Sequence, residues 1–267
     1  MSDLLAAGLL LVLLAGSAVA GWGLARILPE NHRSRDTMDF VRVASGLLVT
    51  FTALVLSLLL SAVNADFKKA DADLRTYAAM MTLLDQDLRT LGPPVAPARL
   101  LLRRYTAAAI ASTWPEEPAP SGDYPRADSL GDAIDAVVLG DMLHGVEVEI
   151  RGIDPRDAEA QKAQAECLRR VSALLDQRWS LIGEAHSALT PPFVTMMVAW
   201  LVIVFVSFGL TAPRNPTAAA CIGLVALSVA GAAFITLELD GPLDGLVKIG
   251  SAPLRQALAH IDRPPPG

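Results

Sequence analysis

The sequence has 267 residues, of which 52% are hydrophobic and 19% are charged, and its mean hydropathy is +0.42. This balance is too apolar for an ordinary soluble domain and indicates a membrane protein. The formal net charge of −6 argues against nucleic-acid binding, which needs a basic surface to neutralise phosphates. Cys167 and Cys221 lie in segments of different polarity and show no metal-ligand spacing, so neither a disulfide nor a metal site is expected.

Four segments are long and apolar enough to cross a bilayer as helices. A helix rises about 1.5 Å per residue, so about 20 apolar residues cross a hydrocarbon core of roughly 30 Å. The predicted spans are residues 4–28, 43–65, 193–212 and 217–239. None shows the alternation of a barrel strand, and a backbone in lipid must satisfy its own hydrogen bonds, so each span is predicted to be helical.

The first span has one alternative reading, because Ala18-Val19-Ala20 has the form of a signal-peptidase site. No lysine or arginine precedes the apolar run, however, and the run is longer than a usual signal core. These features favour a retained first helix.

The second span carries a face of small, weakly polar residues at helical steps of three and four. Its members are Gly46, Thr50, Ala53, Ser57, Ser61 and Asn64. Such a face can let helices approach closely, or it can line a water-filled path in an oligomer. The pattern alone favours packing and leaves pore lining open.

Residues 66–192 are polar, and we interpret them as a helical extramembrane domain. A heptad stripe continues from the second span and stops before Gly92-Pro93-Pro94, which predicts one long helix. The stripe consists of Phe67, Ala70, Leu74, Tyr77, Met81, Leu84, Leu88 and Leu91. Further helices are predicted at residues 96–113, 129–143 and 154–190. The last has an apolar stripe of Leu168, Val171, Leu175, Trp179, Ile182, His186 and Leu189, and it predicts an antiparallel stalk within or between subunits.

The fourth span has a small-residue stripe that we interpret as packing, consisting of Ala219, Gly223, Ala226, Ala230 and Ala233. Its end carries Glu238 and Asp240, before a C-terminal tail at residues 241–267. A carboxylate near the end of the hydrocarbon either caps the span at the interface or binds ions at a pore mouth. Both readings stay open.

The sequence offers no support for an enzyme. It has no HExxH, phosphate-binding glycine loop, nucleophile elbow or clustered CxxC, and its four histidines are scattered. No catalytic residue, cofactor or metal is therefore predicted.

The positive charges suggest an orientation. Four arginines lie between Arg26 and Arg42, which slightly favours short loops on the cytoplasmic side. The middle domain would then lie on the opposite, non-cytoplasmic side of the membrane.

Linked blocks of sequence resemble the bestrophin-like family of bacterial membrane proteins. The blocks are 46–50 and 53–56 in the second span, 84–88 before Gly92-Pro93, 99–105, 191–193, 237–246 and 251–254. The resemblance implies a pentameric anion channel whose second membrane helix narrows the pore. It also implies that the helical domain lies in the cytoplasm, whereas the density of positive charge favours the other side. Two departures stand out. Bestrophins have large apolar residues at the pore neck, and the calcium-binding acidic cluster of animal bestrophins is not reproduced after Asp240.

These expectations combine into an all-α membrane protein with four transmembrane helices and a helical extramembrane domain inserted between the second and third. We expect a multi-pass protein of the bacterial inner membrane that self-associates as a homo-oligomeric, bestrophin-like ion channel or channel-like protein, with anions favoured. The alternative is a non-conducting scaffold or a sensor whose stalk relays a signal.

Overall fold

The computed structural model describes residues 2–29, 34–125, 137–184, 191–243 and 245–263, and these contain helices but no strand. The helices are α1 Ser2–Ile27, α2 Arg35–Thr90, α3 Ala96–Thr113, α4 Val137–Arg151, α5 Ala158–Glu184, α6 Pro191–Thr211, α7 Pro216–Asp240 and α8 Ala252–Ile261, with a 3₁₀ turn at Pro93–Val95. The chain divides into two compact units. We call the first the apolar unit (Met1–Phe67, Ser187–Gly241, Gly245–Val247) and the second the polar unit (Lys68–His186, Pro242–Asp244, Lys248–Gly267).

Four helices are long and apolar enough to cross a membrane: Leu4–Ile27, Arg35–Thr90, Pro192–Thr211 and Pro216–Asp240. The four predicted apolar helices are thus confirmed to within a few residues, with the second predicted span lying inside α2. The 56 residues of α2 form one helix, as the unbroken pattern predicts. The helix ends just before Gly92, whose φ of +77° suits a residue without a side chain.

The apolar unit is held together where α1 meets α6. A Cβ on Gly21 would collide with the carbonyl oxygen of Val206, and a Cβ on Gly209 would collide with that of Ala18. Lipid tails are as apolar as the helix surfaces, so the hydrophobic effect does not bring helices together inside a bilayer. Close van der Waals contact between helix backbones does so instead. The surrounding core consists of Leu14, Ala18, Met197, Leu201, Val204, Phe205 and Ala226.

The small-residue stripe of α7 packs over only part of its length. Ala226, Ala230 and Ala233 are buried, whereas Ala219 and Gly223 are exposed. Within a single subunit, only the second half of the stripe packs, and the packing predicted for its first half stays a prediction.

In the polar unit the heptad stripe of α2 faces the core, as predicted. Ala70, Leu74, Tyr77, Met81, Leu84 and Leu88 are buried, and Leu91 is half-buried. Phe67, the last residue of α2 in the apolar unit, is also half-buried. The hydroxyl of Tyr77 hydrogen-bonds that of Tyr105 on α3, and burial raises the pKa of both phenols. Both hydroxyls therefore remain protonated at neutral pH.

The long helices α2 and α5 run antiparallel within one subunit. Asp87 of α2 pairs with Arg170 of α5. Tyr77 lies ten residues before Asp87 on α2, and Arg178 lies eight residues after Arg170 on α5. The charge of Arg178 acts on Tyr77 and lowers its pKa, although burial raises that pKa more. The later residue of α2 thus pairs with the earlier residue of α5, so the two helices are antiparallel. Of the two predicted arrangements, within one subunit or between subunits, the structure has the packing within one subunit.

The helix predicted at residues 129–143 has a different end. α4 continues to Arg151, while residues 126–136 lie outside the described part of the chain. The start predicted at residue 154 for the next helix is also wrong, because α5 begins at Ala158. Its cap is Asp157, whose Oδ1 accepts a hydrogen bond from the Ala160 amide at 2.7 Å.

The apolar stripe predicted for α5 is confirmed in part. Val171 and Ile182 are buried and Leu168 and Leu175 are half-buried, but Trp179 is not in the core. The buried side chains are Cys167, Val171, Leu174, Arg178, Leu181 and Ile182. Trp179 is 65% exposed, whereas its neighbour Arg178 is 2% exposed, because the Arg178 guanidinium hydrogen-bonds the buried Tyr105. A polar partner in the core thus draws an arginine inward. His186 and Leu189 lie outside the described residues.

Candidate pore-lining face and the acidic end of the fourth span

The small, weakly polar face of α2 is not covered within the subunit. Gly46, Thr50, Ala53, Ser57 and Ser61 are exposed, and Asn64 is half-buried. The side of α2 that packs inside the apolar unit carries Ser45, Thr52 and Val63, which are buried. The face is therefore available to a neighbouring subunit or to water, and those remain the two alternatives.

The hydroxyl of Thr50 is satisfied by its own helix. Its Oγ1 donates to the carbonyl oxygen of Gly46 at 3.0 Å. Threonine and serine commonly bond in this way to the carbonyl four residues earlier in membrane helices. A hydroxyl with that internal bond can sit at a protein surface in a span without requiring a partner from another helix.

A second exposed stripe lies one residue further along α2 and is large and apolar. It consists of Val43, Leu47, Phe51, Leu54 and Leu58. The ring of Phe51 also packs edge-on against Trp200 of α6, with 5.1 Å between ring centroids. The exposed surface of α2 thus has one side suited to lipid or a helix and one side suited to water.

Glu238 organises the turn that follows α7. The residue is 4% exposed, and its Oε1 accepts hydrogen bonds from the amides of Leu246 and Val247, the latter at 3.1 Å. Gly245 has φ +86°, and a Cβ there would collide with the Glu238 carboxylate. This geometry matches the capping interpretation, in which the acid closes the end of the span.

The other acidic residue of this segment, Asp240, is half-buried in the last turn of α7. The role of Glu238 and Asp240 at a pore mouth stays a prediction. Asp244, in the same sequence block, lies outside the described residues.

Comparison with known proteins places this arrangement in a family. The model of the bestrophin-like domain matches residues 11–254. The chain belongs to the bestrophin-like family. The resemblance predicted from the linked sequence blocks is thereby confirmed, and a bestrophin-like chain with four such apolar helices is a membrane protein.

Solved structures share the bestrophin-like fold at low sequence identity. Two are point mutants of a bacterial bestrophin homologue from Klebsiella pneumoniae. One is 11% identical with a TM-score of 0.60, covering 96% of this chain and 98% of its own. The other is 13% identical with a TM-score of 0.61, covering 98% and 97%. A third, a mutant membrane protein, is 12% identical with a TM-score of 0.59 and 96% coverage of both chains. No curated protein matches the chain significantly.

One of the blocks that carried the bestrophin-like resemblance, residues 84–88, has a clear structural use. The Asp85 side chain is fully buried and accepts hydrogen bonds from Nε of Arg89 at 2.6 Å and Nε of Arg99 at 2.7 Å. The same two guanidinium groups also hydrogen-bond the end of α8. Arg89 donates to the His260 carbonyl at 3.0 Å, and Arg99 donates to the Ile261 carbonyl at 3.1 Å. Asp85 therefore anchors the C-terminal helix in the polar unit.

This role of Asp85 is not among the predictions from the sequence. The available signal was an aspartate next to the heptad-stripe residue Leu84, with arginines at positions 89 and 99. A charge at a buried position requires a paired partner, so the pattern indicates an ion pair.

Among the described residues, no group of three or more histidine, cysteine or acidic side chains could hold a metal ion.

Proposed function

We propose that the protein is a homo-oligomeric ion channel of the bacterial inner membrane. Its four spans cross the bilayer, the helical domain between the second and third lies outside the bilayer, and α2 from each subunit faces a central axis. The observation that carries this proposal is the exposure of the small, hydroxyl-bearing face of α2 inside an apolar span. A single α2 cannot enclose a path, but several copies around an axis can.

The candidate pore-lining residues are Gly46, Thr50, Ala53, Ser57, Ser61 and Asn64. Their small size leaves room for water along the axis, and hydroxyl and amide groups can hydrogen-bond to a hydrated ion. Glu238 and Asp240 are the candidates for the mouth. Because Glu238 already accepts two backbone hydrogen bonds, its contribution is to order the turn that would shape the mouth.

An anion preference is supported by membership of the bestrophin-like family and by charge placement on α2. Arg42 lies four residues before Gly46, and Lys68 lies four residues after Asn64, so both continue the same stripe of the helix. Both are exposed. Repeated around an axis, they would form rings of positive charge beyond each end of a face that has no carboxylate.

Asp39 reduces the effect of the Arg42 ring without removing it. The two side chains lie 3.2 Å apart and are 62% and 69% exposed. Exposed pairs of this kind are weak and screened by salt. Arg42 would therefore still contribute positive potential to a permeating anion.

The experiment is to record currents from the purified oligomer in planar bilayers under a potassium chloride gradient. The proposal predicts currents that reverse near the chloride equilibrium potential. Reversal near the potassium potential would contradict the anion preference alone. An intact oligomer that gives no current under any gradient would favour the rival function, a non-conducting scaffold or sensor. A monomer in native mass spectrometry would exclude an axial pore.

A further inference from the structure

A pocket in the apolar unit collects positive charge where three membrane helices end. It has a volume of about 340 Å³ and is lined by Trp22, Arg26, Arg214, Asn215, Pro216 and Ala219. Its walls are the last turns of α1, the loop after α6 and the first turn of α7. The volume lies in the usual range of small-ligand sites, roughly 300–1,000 Å³.

The two arginines give this pocket its chemistry. None of the six lining residues is acidic. Arg214 is held in place by a hydrogen bond from its Nη2 to the carbonyl oxygen of Trp22 at 3.3 Å. That bond leaves the guanidinium with further donors, because the group carries five N–H bonds in a planar fork. Such a fork matches the oxygens of a phosphate group.

The first turn of α7 adds to the positive potential. The helix is 25 residues long, and the N-terminal end of a helix carries a partial positive charge. Asn215 caps this end by accepting a hydrogen bond from the Ala218 amide at 2.7 Å. The cap fixes the direction in which the helix meets the pocket.

Trp22 provides an independent observation. Its indole N–H is buried, and no acceptor for it is found in the described parts of the chain. Buried donors are almost always satisfied, because an unpaired one costs free energy. Tryptophan is also typical of the level of the lipid headgroups. Its place in the pocket wall thus puts the two arginines at the level of the lipid headgroups.

We propose that this pocket binds the phosphate of an anionic phospholipid headgroup. The position decides between a lipid phosphate and a free one. Arg26 lies in the last turn of the first apolar helix, and Arg214 lies between Thr211 and Pro216, where the third ends and the fourth begins. Charges immediately beyond apolar spans lie at headgroup level, and basic pockets between membrane helices bind anionic headgroups. The proposal does not depend on conduction by the α2 face.

Native mass spectrometry of the purified oligomer tests the site. Phosphatidylglycerol and phosphatidylcholine with the same acyl chains are added separately, and retained lipid is counted. The wild type should retain phosphatidylglycerol in preference. The double variant Arg26→Gln with Arg214→Gln should weaken its binding about tenfold, because each lost charge-assisted hydrogen bond is among the stronger kinds. Arg35→Gln, an exposed arginine outside the pocket, should change nothing.

Three results would overturn the assignment. They are equal retention of the two lipids by the wild type, an unchanged preference in the double glutamine variant, and displacement of the lipid by millimolar inorganic phosphate, which would identify a site for free phosphate. If the glutamine variant does not assemble, Arg26→Lys with Arg214→Lys keeps both charges. It should still prefer phosphatidylglycerol, with weaker binding than the wild type, and loss of that preference would also count against the site.

Discussion

Arg99 of α3 donates a hydrogen bond from Nε to the fully buried carboxylate of Asp85 on α2 across 2.7 Å. The same carboxylate accepts from Arg89. Replacing Asp85 with asparagine keeps the shape of the side chain but leaves two largely buried guanidinium groups without their counter-charge. Removing one partner of a buried pair costs about 3–5 kcal/mol. We therefore expect Asp85→Asn to lower the free energy of unfolding by that order, measured by chemical denaturation in detergent.

The matched control is Asp71→Asn on the same helix. Asp71 pairs with Arg75 at 3.0 Å, but the two side chains are 34% and 67% exposed. The change should stay within about 1 kcal/mol, as for other exposed pairs. Equal effects of the two substitutions would show that Asp85 does not anchor the C-terminal helix.

The contact between α1 and α6 gives a second prediction. Gly21→Ala places a Cβ against the carbonyl oxygen of Val206, so the helices must separate. Overpacking of this kind costs about 1–3 kcal/mol. Gly16→Ala on the same helix meets nothing within 4 Å and should be neutral or slightly stabilising, because alanine favours helix. The measurement is thermal unfolding of the two variants in detergent, and equal midpoints would contradict the close packing.

How much of this structure the sequence predicts depends on the range of the interactions. The four apolar helices follow from length and composition, and the continuation of α2 follows from an unbroken period. The face of α2 from Gly46 to Asn64 is also correctly placed on one side of a helix. Its exposure within the subunit is not predictable, because it depends on which side of α2 packs against the other spans.

Interactions between distant residues explain the errors. The burial of Arg178 on α5 depends on its bond with Tyr105, which lies 73 positions earlier in the chain. Hydrophobic periodicity counts arginine as a surface residue and tryptophan as a core residue, so it reversed Arg178 and Trp179. The role of Glu238 likewise depends on how Gly245 turns the chain back, which a pattern of residue types does not specify.

The turn after α7 provides a third prediction. Glu238→Ala removes the charged acceptor for the amides of Leu246 and Val247, and a hydrogen bond to a charged group contributes about 1.5–3 kcal/mol. Hydrogen exchange in the segment 245–247 should become faster. Glu238→Gln retains a side-chain oxygen and should have a smaller effect. Unchanged exchange in Glu238→Ala would show that the carboxylate does not hold the turn.

Acid pH should destabilise the polar unit through Glu117. Hydrogen bonding from Ser251, with a further contribution from Arg255, holds the pKa of this carboxyl below its ordinary value of 4.5. A carboxyl whose folded pKa is depressed stabilises the fold above the unfolded value and loses that contribution as pH falls through the folded value. The contribution of Glu117 to stability should therefore be fully present above about pH 5 and be lost progressively as the pH drops below 4.5.

Glu117→Gln should make the decline in stability below pH 4.5 shallower than in the wild type. The control is the adjacent Glu116→Gln. Glu116 pairs with Lys248, but its side chain is 79% exposed, so solvent screens the pair. Thermal unfolding between pH 3 and pH 7 distinguishes the variants, and a wild-type slope in Glu117→Gln would refute the assignment.

Thiol modification of the α2 face requires a suitable cysteine background. Cys221 is exposed and is replaced by serine. Cys167 can remain, because burial raises the pKa of its thiol to about 12 and leaves little reactive thiolate.

The most direct measurement on the central claim is the current through Ser57→Cys in that background, before and after a negatively charged methanethiosulfonate reagent. Ser57 lies on the small-polar face, and Leu58, on the neighbouring apolar stripe, is the matched control. A pore lined by α2 predicts an anion current that the reagent blocks in Ser57→Cys and leaves unchanged in Leu58→Cys. An unchanged current in Ser57→Cys, or no current from the intact oligomer, would contradict it.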